Sequence, residues 1–160
     1  MTLAMLLQQT IDRELPNLRS LNDPAASQTR TRPGNWSPKQ ELGHLIDSAT
    51  NNHIRFVVAS IDGEFRGPGY EQDKWVEAHG YGDMAWIALV DLWYLYNLLL
   101  AHLIERIPEN QMNNRCLIGP RALTLRFVID DYRIHMQHHL DHILARDTII
   151  PYPPLPEVLR

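Results

Sequence analysis

Apolar residues return every three or four positions in four long segments of the chain, which is the spacing of one face of an α-helix. The first segment covers residues 2–21 and the second covers residues 37–61. Ser37 is a suitable N-cap for the second helix, and Pro38 suits its first turn, where no backbone N–H is needed. Residues 22–35 contain two prolines and a glycine, and they are predicted to form a loop.

The third segment, residues 83–107, has a wide apolar face and ends at Pro108, and the fourth covers residues 121–146. Residues 62–82 are predicted to form a long loop, whereas residues 110–120 could hold a short hairpin. Alternating strand patterns are otherwise missing from the sequence. The pattern therefore predicts an all-α fold, a four-helix bundle whose helices are joined by long crossing loops.

Size and charge narrow the class of protein. The length of 160 residues and the mass of 18.6 kDa fit one domain over residues 1–160, long enough to bury a core. The net charge is −4, the pI is near 6.0 and the basic residues are not clustered. This charge pattern argues against a nucleic-acid-binding protein. Residues 151–160 contain four prolines and are predicted to be an extended tail.

Three features predict a protein of the cytoplasm that does not enter a membrane. Cys116 is the only cysteine, so no disulfide can form within the chain. The first residues lack the basic start of a signal peptide and soon reach Asp12 and Glu14. The most apolar stretch, residues 84–107, is interrupted by charged and polar residues, which is the pattern of a buried helix.

Histidines are concentrated in the fourth segment, where four of the chain's eight lie within eight residues. Neutral imidazole is the commonest protein ligand for a divalent transition metal, and two histidines one helical turn apart can hold the same ion. His135 and His139 form one such pair, and His138 and His142 form another. The spacing alone leaves open which pair would bind an ion.

One pair supplies only two ligands, so a catalytic site needs a third ligand and an open position for water or substrate. His44 is the best candidate, because it lies in the second helical segment among apolar neighbours. Asp47, one turn later, is the nearest acidic residue and the candidate general base, although it could instead orient a histidine or face solvent. Asn51 and Arg55 continue the same face, where they could bind an anionic or carbonyl group of a small-molecule substrate.

The two motifs together resemble a known family. WSPKQELGHLIDSATNNHIRF, residues 36–56, is followed by YRIHMQHHLDHI, residues 132–143, and this order resembles the DinB/YfiT-like four-helix metalloproteins over residues 36–145. The resemblance implies a homodimer and one divalent ion per chain, zinc or nickel, held by His44, His135 and His139. It also implies a metal-dependent hydrolase in which the ion activates water.

Some questions stay open under this resemblance. His138 and His142 lie on another face of the helix and are predicted to support the ligands, to make dimer contacts or to lie on the surface. Gly43 departs from the family, in which another histidine often precedes the ligand of the second helix. The ion could instead activate a small-molecule thiol, as in related S-transferases and isomerases, or it could only tie helices together in a non-catalytic dimeric module.

Overall fold

The computed structural model describes residues 1–29 and 36–152 of the chain. The described residues form six helices and three short strands, with two single turns of 3₁₀ helix between them. In chain order these elements are α1 (Leu3–Ser20), α2 (Asp23–Ala26), α3 (Pro38–Asp62), β1 (Glu64–Gly67), α4 (Gln72–His79), α5 (Trp86–Glu105), β2 (Arg115–Ile118), β3 (Arg121–Thr124) and α6 (Leu125–Ile143).

The four long helices, α1, α3, α5 and α6, form the bundle that the sequence predicts. Helix α1 packs against α5 and α6, and α3 packs against the same two helices. Helices α1 and α3 therefore occupy opposite corners, although they are consecutive long helices in the chain. The connections cross the bundle, as the sequence predicts.

Local capping fixes where α3 and α6 begin. The Ser37 side chain accepts a hydrogen bond from the Gln40 backbone at 3.3 Å, and Gln40 Oε1 accepts one from the Ser37 backbone at 2.9 Å. This reciprocal pair is a capping box. At the start of α6, Thr124 Oγ1 accepts from the Phe127 backbone at 3.2 Å. Both helices that carry the motif histidines therefore start at a defined residue.

The connections contain more structure than the sequence predicts. The predicted loop of residues 62–82 holds β1 and α4, and the predicted loop of residues 22–35 holds α2, with residues 30–35 outside the described part. Strand β2 lies in the segment predicted to hold a short hairpin, but its antiparallel partner β3 lies beyond that segment. The chain turns between them at Gly119 in the left-handed region, and β1 pairs parallel to β2. The prediction that α6 starts at residue 121 is wrong, because residues 121–124 pair with β2.

Helix α5 is buried on one side and apolar on both. Its Trp93 and Leu100 are fully buried in the core, whereas Leu95 and Leu99 are 62% and 48% exposed. By length and composition it is the one described helix that could cross a membrane, with a mean hydropathy of 1.6, a test that core helices also pass. Of the extended tail predicted for residues 151–160, all but the first two residues lie outside the described part.

The 3₁₀ turn of residues 81–83 packs directly against α3 at Gly43. A Cβ atom on Gly43 would lie 2.0 Å from the Tyr81 ring, so only glycine leaves room for it. The Tyr81 hydroxyl then donates a hydrogen bond to Asp47 Oδ1 at 2.6 Å. Packing against Tyr81 therefore requires glycine at position 43.

We expect Gly43→Ala to lower the free energy of unfolding by about 1–3 kcal/mol, because the new methyl group overpacks the Tyr81 ring. In a Tyr81→Ala background, Gly43→Ala should instead raise the free energy of unfolding by up to about 1 kcal/mol, because alanine has a higher helix propensity than glycine. Urea denaturation of the four proteins measures both effects. A loss of the same size in both backgrounds would rule out the contact with Tyr81 as the cause.

Candidate metal centre

Three histidine side chains meet where α3 packs against α6. His135 Nε2 lies 3.3 Å from His44 Nε2 and 3.0 Å from His139 Nε2. The ligand atoms of the three residues all lie within 4.8 Å of one another. Ligand nitrogens of a tetrahedral zinc site are about 3.3 Å apart, given Zn–N distances of about 2.0–2.1 Å. The three nitrogens thus have a spacing that fits a metal ion.

Burial keeps these imidazoles neutral at physiological pH. His44 is 1% exposed, and burial followed by the nearby His139 lowers its pKa to about 3. Burial also lowers the pKa of His139 to about 4, with a smaller effect of His142 in the same direction. The pKa of His135 is lowered well below its usual value, again mainly by burial. Neutral imidazole is the form that binds a metal ion.

A carboxylate holds one of the three rings in place. Glu41 Oε1 lies 2.9 Å from His139 Nδ1 and 3.1 Å from His142 Nδ1. When Nδ1 of His139 carries the proton and donates to Glu41, the lone pair of Nε2 points towards His135. Glu41 was not among the predicted site residues, although it precedes His44 by three residues and so shares its helix face.

His44 is oriented in a different way. Its Nδ1 is buried and has no hydrogen-bond partner among the residues that the structure describes. The ring instead packs against Trp36, with 5.1 Å between the ring centroids. Packing rather than a carboxylate therefore fixes the direction of its Nε2. The donor set is thus three neutral imidazoles, with a carboxylate behind one of them.

The other histidine pair of α6 lies outside this group. His138 packs its ring against His142 at 4.2 Å between centroids and against Tyr152 at 5.5 Å. Glu41, His139 and His142 form a second group of possible ligands, but hydrogen bonds to the Glu41 carboxylate account for their closeness. The structure thus brings the first pair, rather than the second, next to His44. The ligand roles themselves stay predictions.

A cavity of about 170 Å³ opens beside His44 and His135. Helix α3 forms part of the cavity wall. Because an α-helix turns by about 100° per residue, the residues of α3 that line the cavity all lie on the same side of His44. These residues are Ser48, Asn52 and Arg55. Of the two substrate-binding residues that the sequence predicts, Arg55 therefore lines this cavity.

The residues on the other flank of His44 face the 3₁₀ turn and α4. Asn51 lines a separate pocket and donates its side-chain N–H to the Asp47 carbonyl at 2.9 Å. Asp47 Oδ1 accepts from Tyr81 and lies 3.2 Å from His79 Nδ1, and burial raises the pKa of its carboxyl. The catalytic role of Asp47 stays a prediction, and its carboxyl is not among the residues that line the cavity.

The carboxyl group that lines the cavity belongs to Asp131, on α6. Burial raises its pKa, while the Tyr152 hydroxyl, which donates to Oδ1 at 3.3 Å, lowers it to a smaller extent. From the sequence, Asp131 was expected to lie on the surface or to support the ligands. Its position four residues before His135 was the available signal, because this spacing places both side chains on one face of α6.

Comparisons with known proteins agree with this fold. No protein-family model matches the chain. A protein of Bacillus cereus (strain B4264) named "Putative metal-dependent hydrolase" is 30% identical over 140 residues, which cover 82% of this chain and 79% of that protein. A protein of the same name from Bacillus mycoides (strain KBAB4) is 29% identical over 138 residues, with the same coverage.

A solved structure has the same fold. YfiT from Bacillus subtilis, described as a probable metal-dependent hydrolase with an unusual four-helix bundle topology, superposes with a TM-score of 0.79. The match covers 89% of this chain and 82% of YfiT at 20% sequence identity. Together with the sequence relatives, it shows that the chain is a member of the YfiT-like family of DinB-type four-helix proteins.

Proposed function

We propose that the chain is a metal-dependent hydrolase that holds one divalent ion, zinc or nickel, through His44, His135 and His139. The convergence of three neutral imidazole nitrogens beside a cavity carries this proposal. Imidazole donors suit both metals. Bound there, a divalent ion would lower the pKa of a water molecule and polarise a substrate oxygen. The names of the relatives support the same chemistry.

The surrounding residues have separate tasks in this proposal. Glu41 holds the proton on Nδ1 of His139, so that Nε2 keeps its lone pair. Asp131 accepts the proton that water loses as it attacks the substrate, and then gives that proton to the leaving group. Its raised pKa suits this exchange, because a general base works best when its pKa approaches the working pH.

The first prediction concerns metal content. We expect the wild-type chain to bind one ion and His44→Ala to lose most of it, because the two remaining donors cannot hold a divalent ion firmly. Glu41→Gln should weaken the affinity by about 10–100-fold, since it removes the carboxylate behind His139. Elemental analysis after dialysis, with titration against a chelator, measures both effects.

His138 supplies the control for this experiment. His138→Ala removes a histidine of the same helix whose ring lies outside the group, so the ion should be retained. Retention in His135→Ala combined with loss in His138→Ala would move the site to the other pair of α6 and contradict the proposal.

The second prediction concerns the chemistry. Small esters and amides should be hydrolysed by the metal-loaded protein, and removal of the metal should abolish the reaction. Asp131→Asn should lower kcat by about 10²–10⁴-fold, the usual contribution of general base catalysis. Asp47→Asn, in which the changed group lies outside the cavity, should have a much smaller effect. A larger loss of kcat in Asp47→Asn than in Asp131→Asn would identify Asp47 as the general base, as predicted from the sequence.

The same screen includes a small thiol with an electrophile. If the metal-loaded protein conjugates the thiol but hydrolyses no ester or amide, the protein is an S-transferase and the proposal of a hydrolase is wrong. If the protein catalyses neither reaction and its metal ion is not accessible to solvent, the metal site is structural.

We also propose that the chain forms a homodimer through the exposed side of α5. Leu92, Leu95 and Leu99 lie three and four residues apart, so they form one stripe on the helix, and each is at least 44% exposed. Contiguous exposed apolar residues of this kind typically mark an interaction surface. A second copy of the chain would remove both stripes from water.

The third prediction follows from this surface. Light scattering at micromolar concentration should give twice the 18.6 kDa mass of the chain. Leu95→Glu should give the monomer, because burying a carboxylate in an apolar interface is costly. Ile149→Glu is the matched control, since Ile149 is 47% exposed but lies outside α5. A wild-type monomer, or a Leu95→Glu dimer, would contradict the use of this surface.

A further inference from the structure

Two arginines line the cavity beside the histidines. Arg55 reaches it from α3 and Arg121 from β3. Arg55 is only 8% exposed, and its side chain donates one hydrogen bond, from Nη1 to Asn52 Oδ1 at 3.2 Å. Within the described ranges, no carboxylate lies within 4.0 Å of either guanidinium group. A buried cation therefore lines the cavity without an anion beside it.

This arrangement is costly for the free protein. An ion removed from water without a partner is strongly disfavoured, even after the surroundings relax. Arginine does not avoid that cost by losing its proton, because the guanidinium group stays charged in proteins. Burial lowers the pKa of Arg55, and the positive charge of Arg121 acts in the same direction to a smaller extent. The positive charge therefore persists.

The acidic residues nearby compensate at most one of the two cations, because Asp131 is attracted by Arg121 but no carboxylate acts on Arg55 among the described residues. Asp131 is the acidic residue among the described side chains that line the cavity, and its Oδ1 accepts from Tyr152. Glu71 lies in the neighbouring pocket, where its carboxylate pairs with Lys74 at 2.8 Å. Two arginines thus line the cavity together with one acidic residue, Asp131, and an anionic ligand would balance the remaining positive charge.

We propose that the cavity binds a substrate that carries a carboxylate or phosphate group, held by Arg55 and Arg121, with its reacting part next to His44 and His135. A guanidinium group binds such oxyanions through two parallel N–H donors. The cavity volume of about 170 Å³ is below the roughly 300–1,000 Å³ of sites for drug-sized ligands, which favours a small anion. Only the placement of the reacting part rests on the proposed hydrolase function.

Stability without a ligand provides the first test. In low-salt buffer Arg55→Met should raise Tm by a few degrees, because it replaces an unpaired buried cation with an apolar side chain of similar length. Inorganic phosphate or acetate should raise Tm of the wild-type chain and leave Tm of Arg55→Met unchanged. A variant with a lower Tm that still responds to the anions would overturn the proposal.

Direct binding provides the second test and does not require a metal. Calorimetry on metal-free protein uses inorganic phosphate and acetate as probes, with acetamide as the neutral counterpart of acetate. We expect Arg55→Met and Arg121→Met each to weaken binding of the preferred anion at least about 10-fold, given the strength of hydrogen bonds between charged groups. Acetamide should not bind, and the stronger of the two anions identifies the class of substrate.

Arg115→Met is the matched control. Arg115 lies on β2, the strand that pairs with the strand of Arg121, but its side chain is 62% exposed and pairs with Glu64 at 3.4 Å. Its replacement should leave the affinity for the anion unchanged. Equal binding by all three variants would overturn the proposal. Because the probes act on metal-free protein, loss of the metal site or of hydrolysis in other experiments would not affect this result.

Discussion

The packing of α3 against α6 is the contact on which the candidate site depends. It brings His44 to the pair on α6, and it places Glu41 of the same face against His139. Because the contact is buried, it disfavours protonated imidazole and leaves nitrogen lone pairs directed at one point. A change that separated the two helices would therefore remove the ligand geometry and the neutral state of the histidines together.

A buried network on the opposite side of α6 helps to hold this helix. Glu14 of α1 is fully buried, and it accepts hydrogen bonds from Arg146 at 2.7 Å and Arg13 at 2.8 Å. Burial raises the pKa of Glu14, but hydrogen bonds from Arg146, Arg13 and Asn17 outweigh that effect and hold the pKa at about 2. Asp141 of α6 also accepts from Arg146, at 2.9 Å. Helix α6 is thus fixed to α1 by charge and to α3 by its histidine face.

Periodicity in the sequence was sufficient to predict the four helices, and it made His44 the candidate partner of a histidine pair on α6. The choice of His135 and His139 rested on the family resemblance, and the structure brings these three residues together. Periodicity was not sufficient to predict which α3 side chains line the cavity. Asp47 and Ser48 lie on either side of His44 on the helix, and only the packing of neighbouring elements shows that Ser48 lines the cavity while Asp47 contacts Tyr81. Strand β3 was missed for a similar reason, since a strand of four residues owes its conformation to pairing with β2. Asp131 and Glu41 were visible as helical neighbours of the histidines, but their spacing could not show that they face the site.

Burial acts on the two kinds of cationic side chain in the cavity in opposite ways. A histidine whose unperturbed pKa is about 6.5 responds to burial by losing its proton, so His44 becomes a neutral donor for a cation. Arg55 experiences the same loss of water but keeps its charge, so it becomes a fixed attractor for an anion. One cavity could therefore hold a metal ion at one wall and an anionic group at another. In both proposals the chemical identity of the buried side chain determines which kind of ligand it would bind.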